Sequence, residues 1–104
     1  MAVDIFQPAT ADLDLTTVLQ ALGDPMRLQI VRLLAAEGEQ SCGAIDLGIS
    51  KSTRSHHFKT LREAGLTSTR VEGTHRHLSL RRDDLDERFP GLLDAVLQTT
   101  PAPA

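Results

Sequence analysis

Cysteine and aromatic residues are scarce in this sequence of 104 residues. It contains one cysteine, Cys42, three phenylalanines and neither tryptophan nor tyrosine. A single cysteine excludes a disulfide framework and a paired-cysteine metal site within one chain, and it suits a reducing compartment. Because the apolar residues are mostly Leu, Ala, Val and Ile, helices are favoured over a β-sandwich. We therefore predict a mainly α fold.

Export signals and long apolar runs are also absent. The first ten residues have neither a basic start nor an apolar stretch of the length that export requires, and no later segment reaches membrane-spanning length. We expect a cytoplasmic protein with one compact domain, which a chain of this length can just support. That domain is predicted at residues 12–98, between a flexible N-terminal tail (1–11) and a C-terminal tail (99–104).

The net charge of −3 is distributed unevenly. Between Lys51 and Arg82 there are eight basic and two acidic residues, a local net charge of +6, whereas the rest of the chain carries −9. Because DNA binding depends on the field of a local patch that faces phosphates, a basic segment in an acidic chain is compatible with a DNA partner. On charge alone, a solvated face explains the segment as well.

Helical periodicity predicts two helices near the N-terminus. The first begins after Asp12 or Asp14, and Gly23 supplies a left-handed stop. The second starts at the pair Asp24-Pro25, where proline occupies the first helical position, and stops near Gly38. The apolar face of the first helix holds Leu15, Val18, Leu19 and Leu22.

The middle of the chain predicts a short helix, a tight turn and a longer helix. A weak helical segment covers Ala44 to Leu47 and breaks at Gly48. After the turn, Ser50 is a suitable N-cap for a helix from Lys51 to Ala64, which ends at Gly65. The inward residues of this longer helix are Phe58 and Leu61.

Two short strands and an interrupted helix complete the predicted fold. The runs 66–71 and 75–80 suit β-strands that are joined by a turn at Glu72-Gly73-Thr74. The last helix keeps one apolar phase, but Pro90 removes a backbone donor within it. We therefore expect a kink or a break at Phe89.

Helix, tight turn, helix and basic hairpin, in this order, form a winged helix-turn-helix. In that arrangement the second helix enters the major groove of DNA, and the hairpin reaches the backbone or the neighbouring minor groove. We predict DNA contacts from the polar residues at those positions: Lys51, Ser52, Thr53, Arg54, Ser55, His56, Lys59, Thr74, His75 and Arg76.

Four stretches of the sequence form a more specific pattern: Ala21–Leu28 (ALGDPMRL), Ile30–Leu34 (IVRLL), Ser50–Leu66 (SKSTRSHHFKTLREAGL) and Val71–Leu78 (VEGTHRHL). In this pattern the chain resembles the ArsR/SmtB family of winged-helix regulators, roughly from Leu15 to Leu97. The resemblance implies a homodimer built from the first and last helices, which binds double-stranded DNA until an effector or co-regulator relieves the binding. The residues expected at the dimer interface are Leu15, Val18, Leu19, Leu22, Leu92, Leu93, Val96 and Leu97.

Two features depart from that family. Arg54 occupies a position where members commonly have an aliphatic residue, so Phe58 and Leu61 are expected to anchor the recognition helix and Arg54 to reach a phosphate. Metal-responsive members carry a cysteine pair or a histidine-containing set on the last helix, but here Cys42 is alone and no histidine follows His77. We therefore assign no metal site.

Three functional hypotheses follow. The first is a regulator that binds an imperfect inverted repeat, with half-sites about one helical turn apart. The second adds a zinc or nickel response, through surface histidines such as His75 and His77 or through a partner protein. The third is a protein-interaction module that kept the fold and lost DNA binding. No catalytic triad, glycine-rich phosphate loop or carboxylate pair marks an enzyme, so we predict neither catalysis nor a cofactor.

Overall fold

The computed structural model of the protein describes residues 5–98, and the predicted C-terminal tail lies outside that range. Within it the chain forms a winged helix-turn-helix, mainly helical with a small antiparallel sheet, as predicted. The strands follow the order β1-β3-β2, and no helix in this range is long and apolar enough to cross a membrane. The elements are α1 (Leu15–Leu22), α2 (Pro25–Glu37), β1 (Gln40–Ser41), α3 (Lys51–Ala64), β2 (Thr67–Glu72), β3 (His75–Leu80), α4 (Arg82–Arg88) and α5 (Leu92–Gln98), with 3-10 turns at Thr10–Asp12 and Cys42–Ala44.

One apolar core joins the helices to the sheet. Phe58 and Leu61 anchor α3 in it as predicted, with exposed fractions of 8% and 0%. Full burial of one such side chain stabilises the folded state by about 1.5–3 kcal/mol. Most elements contribute a fully buried residue to this core, including Val18, Ile30, Val31, Leu61, Leu66, Leu78, Leu85 and Leu93.

The structure selects Asp14 rather than Asp12 as the N-cap of α1, confirms Asp24 as the N-cap of α2 and corrects one predicted stop. The side chain of Asp14 accepts a hydrogen bond from the amide of Thr17, and that of Asp24 accepts from Met26 and Arg27. Gly23, however, has a φ of −76° and is not left-handed. The prediction was wrong because Arg27 satisfies the end of α1 instead: its Nε donates to the carbonyl oxygen of Ala21 at 2.7 Å.

The first helix of the helix-turn-helix is shorter than predicted. Only a 3-10 turn over Cys42–Ala44 forms, and the residues from Ile45 to Leu47 are not helical. Two side chains replace the helical hydrogen bonds here: Asp46 accepts from the amide of Gly48, and Arg54 donates to the carbonyl oxygen of Ile45. Such side-chain bonds compete directly with helix formation.

The recognition helix α3 has the predicted bounds. Ser50 caps its start by accepting from the amide of Thr53. At its end Gly65 adopts φ +87°, and the amides of Gly65 and Leu66 donate to the carbonyl oxygens of Arg62 and Leu61. Because this Schellman closure engages Leu66, the first wing strand begins one residue later than predicted.

The wing is a three-stranded sheet rather than a hairpin alone. β2 and β3 pair in antiparallel register around Gly73 and Thr74, with Thr69 opposite Leu78. The added strand β1 pairs Gln40 with Leu78 and Ser41 with His77, which the sequence did not predict. β2 therefore lies at one edge of the sheet and β1 at the other.

The segment at residues 5–13 lies across α3, β2 and α4. Gln7 hydrogen bonds to both main-chain groups of Thr69, at 2.8 and 3.2 Å. Thr10 donates to Asp84, and the carbonyl oxygen of Leu13 accepts from Arg88. The sequence predicted no such contacts for a region that it assigned largely to a tail.

The final helix breaks rather than kinks. α4 ends at Arg88, Phe89 adopts a non-helical conformation, and α5 begins at Leu92. The break falls at Phe89, where the restriction imposed by Pro90 predicts it. Gly91, at φ +83°, continues the turn between the two helices.

Candidate nucleic-acid interface

The recognition helix presents a polar surface to solvent. Its apolar side chains Phe58, Leu61 and Ala64 point into the core, so the residues between them face outward. The exposed residues between the start of α3 and its ninth position are Lys51, Ser52, Thr53, Ser55, His56 and Lys59. All six are among the residues predicted from the sequence to contact DNA.

A groove of about 520 Å³ separates α3 from the wing. It brings together six of the ten predicted DNA contacts, three from the helix and three from the hairpin. These six are Lys51, Arg54, Ser55, Thr74, His75 and Arg76. The other four lie on α3 outside this groove, and His56 instead lines a second hollow beside Arg27 and Gln20.

The basic segment divides into paired and unpaired cations. Arg70 binds the carboxylates of Glu39 and Glu72, Arg81 binds Asp84, and Arg82 binds Asp86 and Asp94. Within residues 5–98, the remaining five basic residues of the segment make no ion pair with a carboxylate. These five, all on α3 or the wing, are Lys51, Arg54, Lys59, Arg62 and Arg76. The unpaired positive charge is thus concentrated on the surface predicted to meet DNA.

Arg54 joins the two parts of the helix-turn-helix. Its Nη1 donates to the carbonyl oxygen of Ile45 at 2.9 Å, while its side chain also lines the groove. Its Nε is buried and has no hydrogen-bond partner among the described residues. The residue that departs from the aliphatic pattern of the family therefore makes a structural contact, and its availability to a phosphate remains a prediction.

Arg27 and His57 connect α2 to the recognition helix, which sequence reasoning missed. The Nη1 of Arg27 lies 3.4 Å from the Nδ1 of His57. Because guanidinium can only donate, Nδ1 accepts in this contact and the ring proton is assigned to Nε2. The signal was weak, since residues separated by thirty positions cannot be paired from periodicity.

Arg62 and Cys42 also line the groove and were not predicted to do so. For Arg62 the signal was present, because Lys51, Ser55, Phe58 and Arg62 follow one helical face at intervals of three and four residues. Cys42 belongs to the 3-10 turn that forms in place of the first helix of the motif, and only the folded chain brings it beneath the wing. Burial raises the pKa of its thiol, which opposes a reactive thiolate there.

The predicted dimer residues fall into two groups. Leu15 and Leu19 on α1 are exposed, at 45% and 47%, and are available to a partner. Val18, Leu22 and Leu93 are buried in the core of the same chain. The remaining three, partly buried and packed against that core on α5, are Leu92, Val96 and Leu97.

The histidines form close pairs but no larger cluster. The ring centroids of His75 and His77 are 6.5 Å apart, and those of His56 and His57 are 6.2 Å apart. Over residues 5–98, no group of three or more His, Cys, Asp or Glu side chains is arranged to hold a metal ion. The structure thus offers no three-residue ligand set for the metal-response hypothesis in the part of the chain that it describes.

Comparison with known proteins supports this class of fold. A helix-turn-helix domain model matches residues 22–70. A crystal structure of a possible transcriptional regulatory protein (fragment 1–100) from Mycobacterium bovis superposes with a TM-score of 0.64. It is 32% identical and aligns over 81% of this chain and 90% of its own. The chain is therefore a helix-turn-helix protein of the transcription-regulator type.

Curated relatives identify the family. The uncharacterized HTH-type transcriptional regulator YceK of Bacillus subtilis is 44% identical over 76% of this chain and 82% of its own length. The arsenical resistance operon repressor of Staphylococcus xylosus is 35% identical over 70% of this chain and 71% of its own length. The chain belongs to the ArsR-type helix-turn-helix transcription regulators, and the resemblance inferred from the sequence is confirmed.

Proposed function

We propose that the chain is a cytoplasmic homodimer that binds a specific inverted repeat in double-stranded DNA and thereby regulates transcription. One observation carries the proposal: six predicted DNA contacts line a single cationic groove between recognition helix and wing, and no carboxylate lines it. A duplex backbone needs such a surface, because most protein contacts to DNA position phosphates while base edges supply specificity. Residues 12–98 form the DNA-binding and dimerising unit in this proposal.

The exposed N-terminal half of α3 supplies the base contacts. Ser52, Ser55 and His56 are short or flat polar side chains on its outer face, which suits insertion into the major groove. Lys59 lies on the recognition helix and Arg76 on the wing. They supply contacts to phosphates on either side of the major groove of the DNA. In the dimer the two recognition helices enter successive major grooves, which sets half-sites about 10 base pairs apart.

Dimer formation draws on the exposed apolar residues of α1. Leu15 and Leu19 leave apolar surface in water that a second copy would cover. The α5 residues Leu92, Val96 and Leu97 are only partly buried and extend the apolar area available for pairing. A small domain gains more from such an interface than a large one, since its own core is limited.

Fluorescence anisotropy tests the proposal. The duplex immediately upstream of the protein's own gene is compared with a scrambled duplex of equal length at one fixed salt concentration. We expect the native duplex to bind at least about 10³-fold more tightly, the lower end of specific recognition. Equal binding of both duplexes, or none, contradicts specific recognition of this site and favours the protein-interaction hypothesis, which a partner pull-down then examines.

A further inference from the structure

The groove between α3 and the wing has features that phosphate contacts alone do not require. Its lower part is apolar, because Phe58 and Leu78, both more than nine-tenths buried, line it together with the half-buried Cys42. Phosphate contacts require the cations of such a groove but not its apolar floor. A concave site of about 520 Å³ with an apolar floor and a few polar groups is typical of small-molecule sites.

The upper part of the groove carries one sign of charge. Lys51, Arg54, Arg62 and Arg76 line it, and no carboxylate does. The thiol of Cys42 lines the same groove as Arg54, Arg62 and Arg76. Burial raises the pKa of that thiol, which leaves it neutral and apolar rather than a competing anion.

Arg54 adds a fixed cation to the groove. One guanidinium nitrogen is held by the carbonyl oxygen of Ile45, which fixes the group in place beside the groove. A charge that is already held in one position loses little side-chain freedom when it binds an anion, so it favours a bound carboxylate, sulfonate or phosphate.

We propose that this groove binds a small organic anion, with a carboxylate, sulfonate or phosphate head on the arginines and a compact apolar body over Phe58 and Leu78. Because six predicted DNA contacts line the same groove, such a ligand and the duplex exclude each other. The claim that the ligand displaces DNA, the regulatory half of the inference, rests on the proposed DNA-binding function. The claim that the groove binds an anion does not, since it concerns the free protein.

Three probes separate the parts of the ligand. The anionic dye 8-anilinonaphthalene-1-sulfonate supplies head and body, N-phenyl-1-naphthylamine supplies the same body without the charge, and inorganic sulfate supplies the head alone. The reporter is Cys42, the only cysteine, whose alkylation by iodoacetamide is followed by mass spectrometry. We expect the anionic dye to slow alkylation at least about tenfold. The neutral dye and sulfate should each protect Cys42 only at concentrations at least about tenfold higher, because each makes only one of the two contacts, the apolar one or the charged one.

Matched variants locate the site. Arg76→Ala and Arg54→Leu remove cations that line the groove, and each is expected to weaken dye binding at least about fivefold. Lys59→Ala removes an exposed cation of the same helix that does not line the groove, and dye affinity should change less than about twofold. Equal protection by sulfate, equal protection by the neutral dye, or no protection by the anionic dye each overturns the proposal.

Competition with DNA then separates this inference from the proposed function. The anionic dye should release the native duplex over the same concentration range in which it protects Cys42. If the duplex binds but the dye does not protect Cys42, the ligand site is wrong and DNA binding stands. If the dye protects Cys42 but the duplex never binds, the proposed function is wrong, and the regulatory half of the inference fails with it.

Discussion

The guanidinium group of Arg54 donates a hydrogen bond of 2.9 Å to the carbonyl oxygen of Ile45 and so holds the start of the recognition helix against the preceding turn. The segment before α3 forms only a 3-10 turn, so it lacks the hydrogen bonds that a full helix would supply. A side chain from the second helix of the motif therefore does what the backbone of the first helix does not.

Removing that side chain should reduce stability. Arg54→Ala leaves the Ile45 carbonyl oxygen without this donor, and the loss of a hydrogen bond to a charged group costs about 1–3 kcal/mol. Urea unfolding followed by circular dichroism measures the free energy of unfolding. Lys59→Ala, an exposed change on the same helix, should stay within about 0.5 kcal/mol. Equal effects of the two variants would show that the Ile45 hydrogen bond contributes nothing.

A methyl group at Gly65 should be costly for two separable reasons. Gly65 has φ +87°, and a Cβ there would lie 2.0 Å from Cδ2 of the buried Leu13. The left-handed backbone of Gly65 alone costs an alanine about 1–2 kcal/mol, and the clash adds at least about 1 kcal/mol because the Leu13 segment must move. In a Leu13→Ala background the clashing Cδ2 is absent, so Gly65→Ala should cost at least about 1 kcal/mol less there than in the original chain. Thermal unfolding of the four proteins of this cycle gives the difference, and equal costs in the two backgrounds contradict the clash.

The Thr10–Asp84 hydrogen bond predicts a pH dependence. Hydrogen bonds from Thr10 and Arg81 lower the pKa of the Asp84 carboxyl below its ordinary value of 3.8. A lowered folded-state pKa contributes stability that is complete above the ordinary pKa and is lost as pH falls through the lowered one. Asp84→Asn should therefore reduce the stability difference between neutral pH and pH below 3.8. Unfolding free energies measured across that window check it.

A double-mutant cycle provides the control for this hydrogen bond. Thr10→Val should also reduce that stability difference, because it removes the first cause of the lowered pKa. In the Asp84→Asn background it should have no further effect on the pH dependence. Additive effects would mean that the two residues act independently.

The unpaired cations should determine the salt dependence of DNA binding. Lys59→Ala and Arg76→Ala should each weaken binding to every duplex and reduce the slope of log affinity against log salt by about 0.9 for each phosphate that the variant no longer neutralises. Arg70 provides the matched control, since Glu39 and Glu72 already hold it. Arg70→Gln should leave the slope unchanged. A loss of sequence preference at constant slope would instead assign Lys59 or Arg76 to base recognition.

Leu19 should be required for dimerisation. Leu19→Glu places a charge on the exposed apolar face of α1, and sedimentation equilibrium should show a shift to monomer. Val71→Glu, a similar change at an exposed apolar residue of the wing, should leave the association state unchanged. A dimer that withstands Leu19→Glu would place the interface elsewhere.

The features of the fold that the sequence predicted correctly depend on residues that are close together along the chain. The bounds of α3 follow from Ser50 at its start and Gly65 at its end, and both act through backbone groups within a few residues. The break at Phe89 likewise follows from one proline. The polar face of α3 was predictable for the same reason, because helical periodicity separates it from Phe58 and Leu61.

Long-range contacts explain what the sequence did not predict. β1 has only two residues and is defined by its pairing with β3, so no periodicity in the sequence predicts it. Arg27 terminates α1 from within α2, which made Gly23 an unreliable guide. The groove joins Cys42, α3 and the wing across more than thirty residues of sequence, and only tertiary packing brings its floor beneath its cations.

Gln7 has a consequence beyond holding its own segment. β2 is an edge strand, and an edge strand with free amide and carbonyl groups is a template on which another chain can add a strand. The Gln7 amide occupies both main-chain groups of Thr69 in the middle of that edge. The N-terminal segment therefore leaves no free main-chain groups at Thr69 for a strand of another chain to pair with.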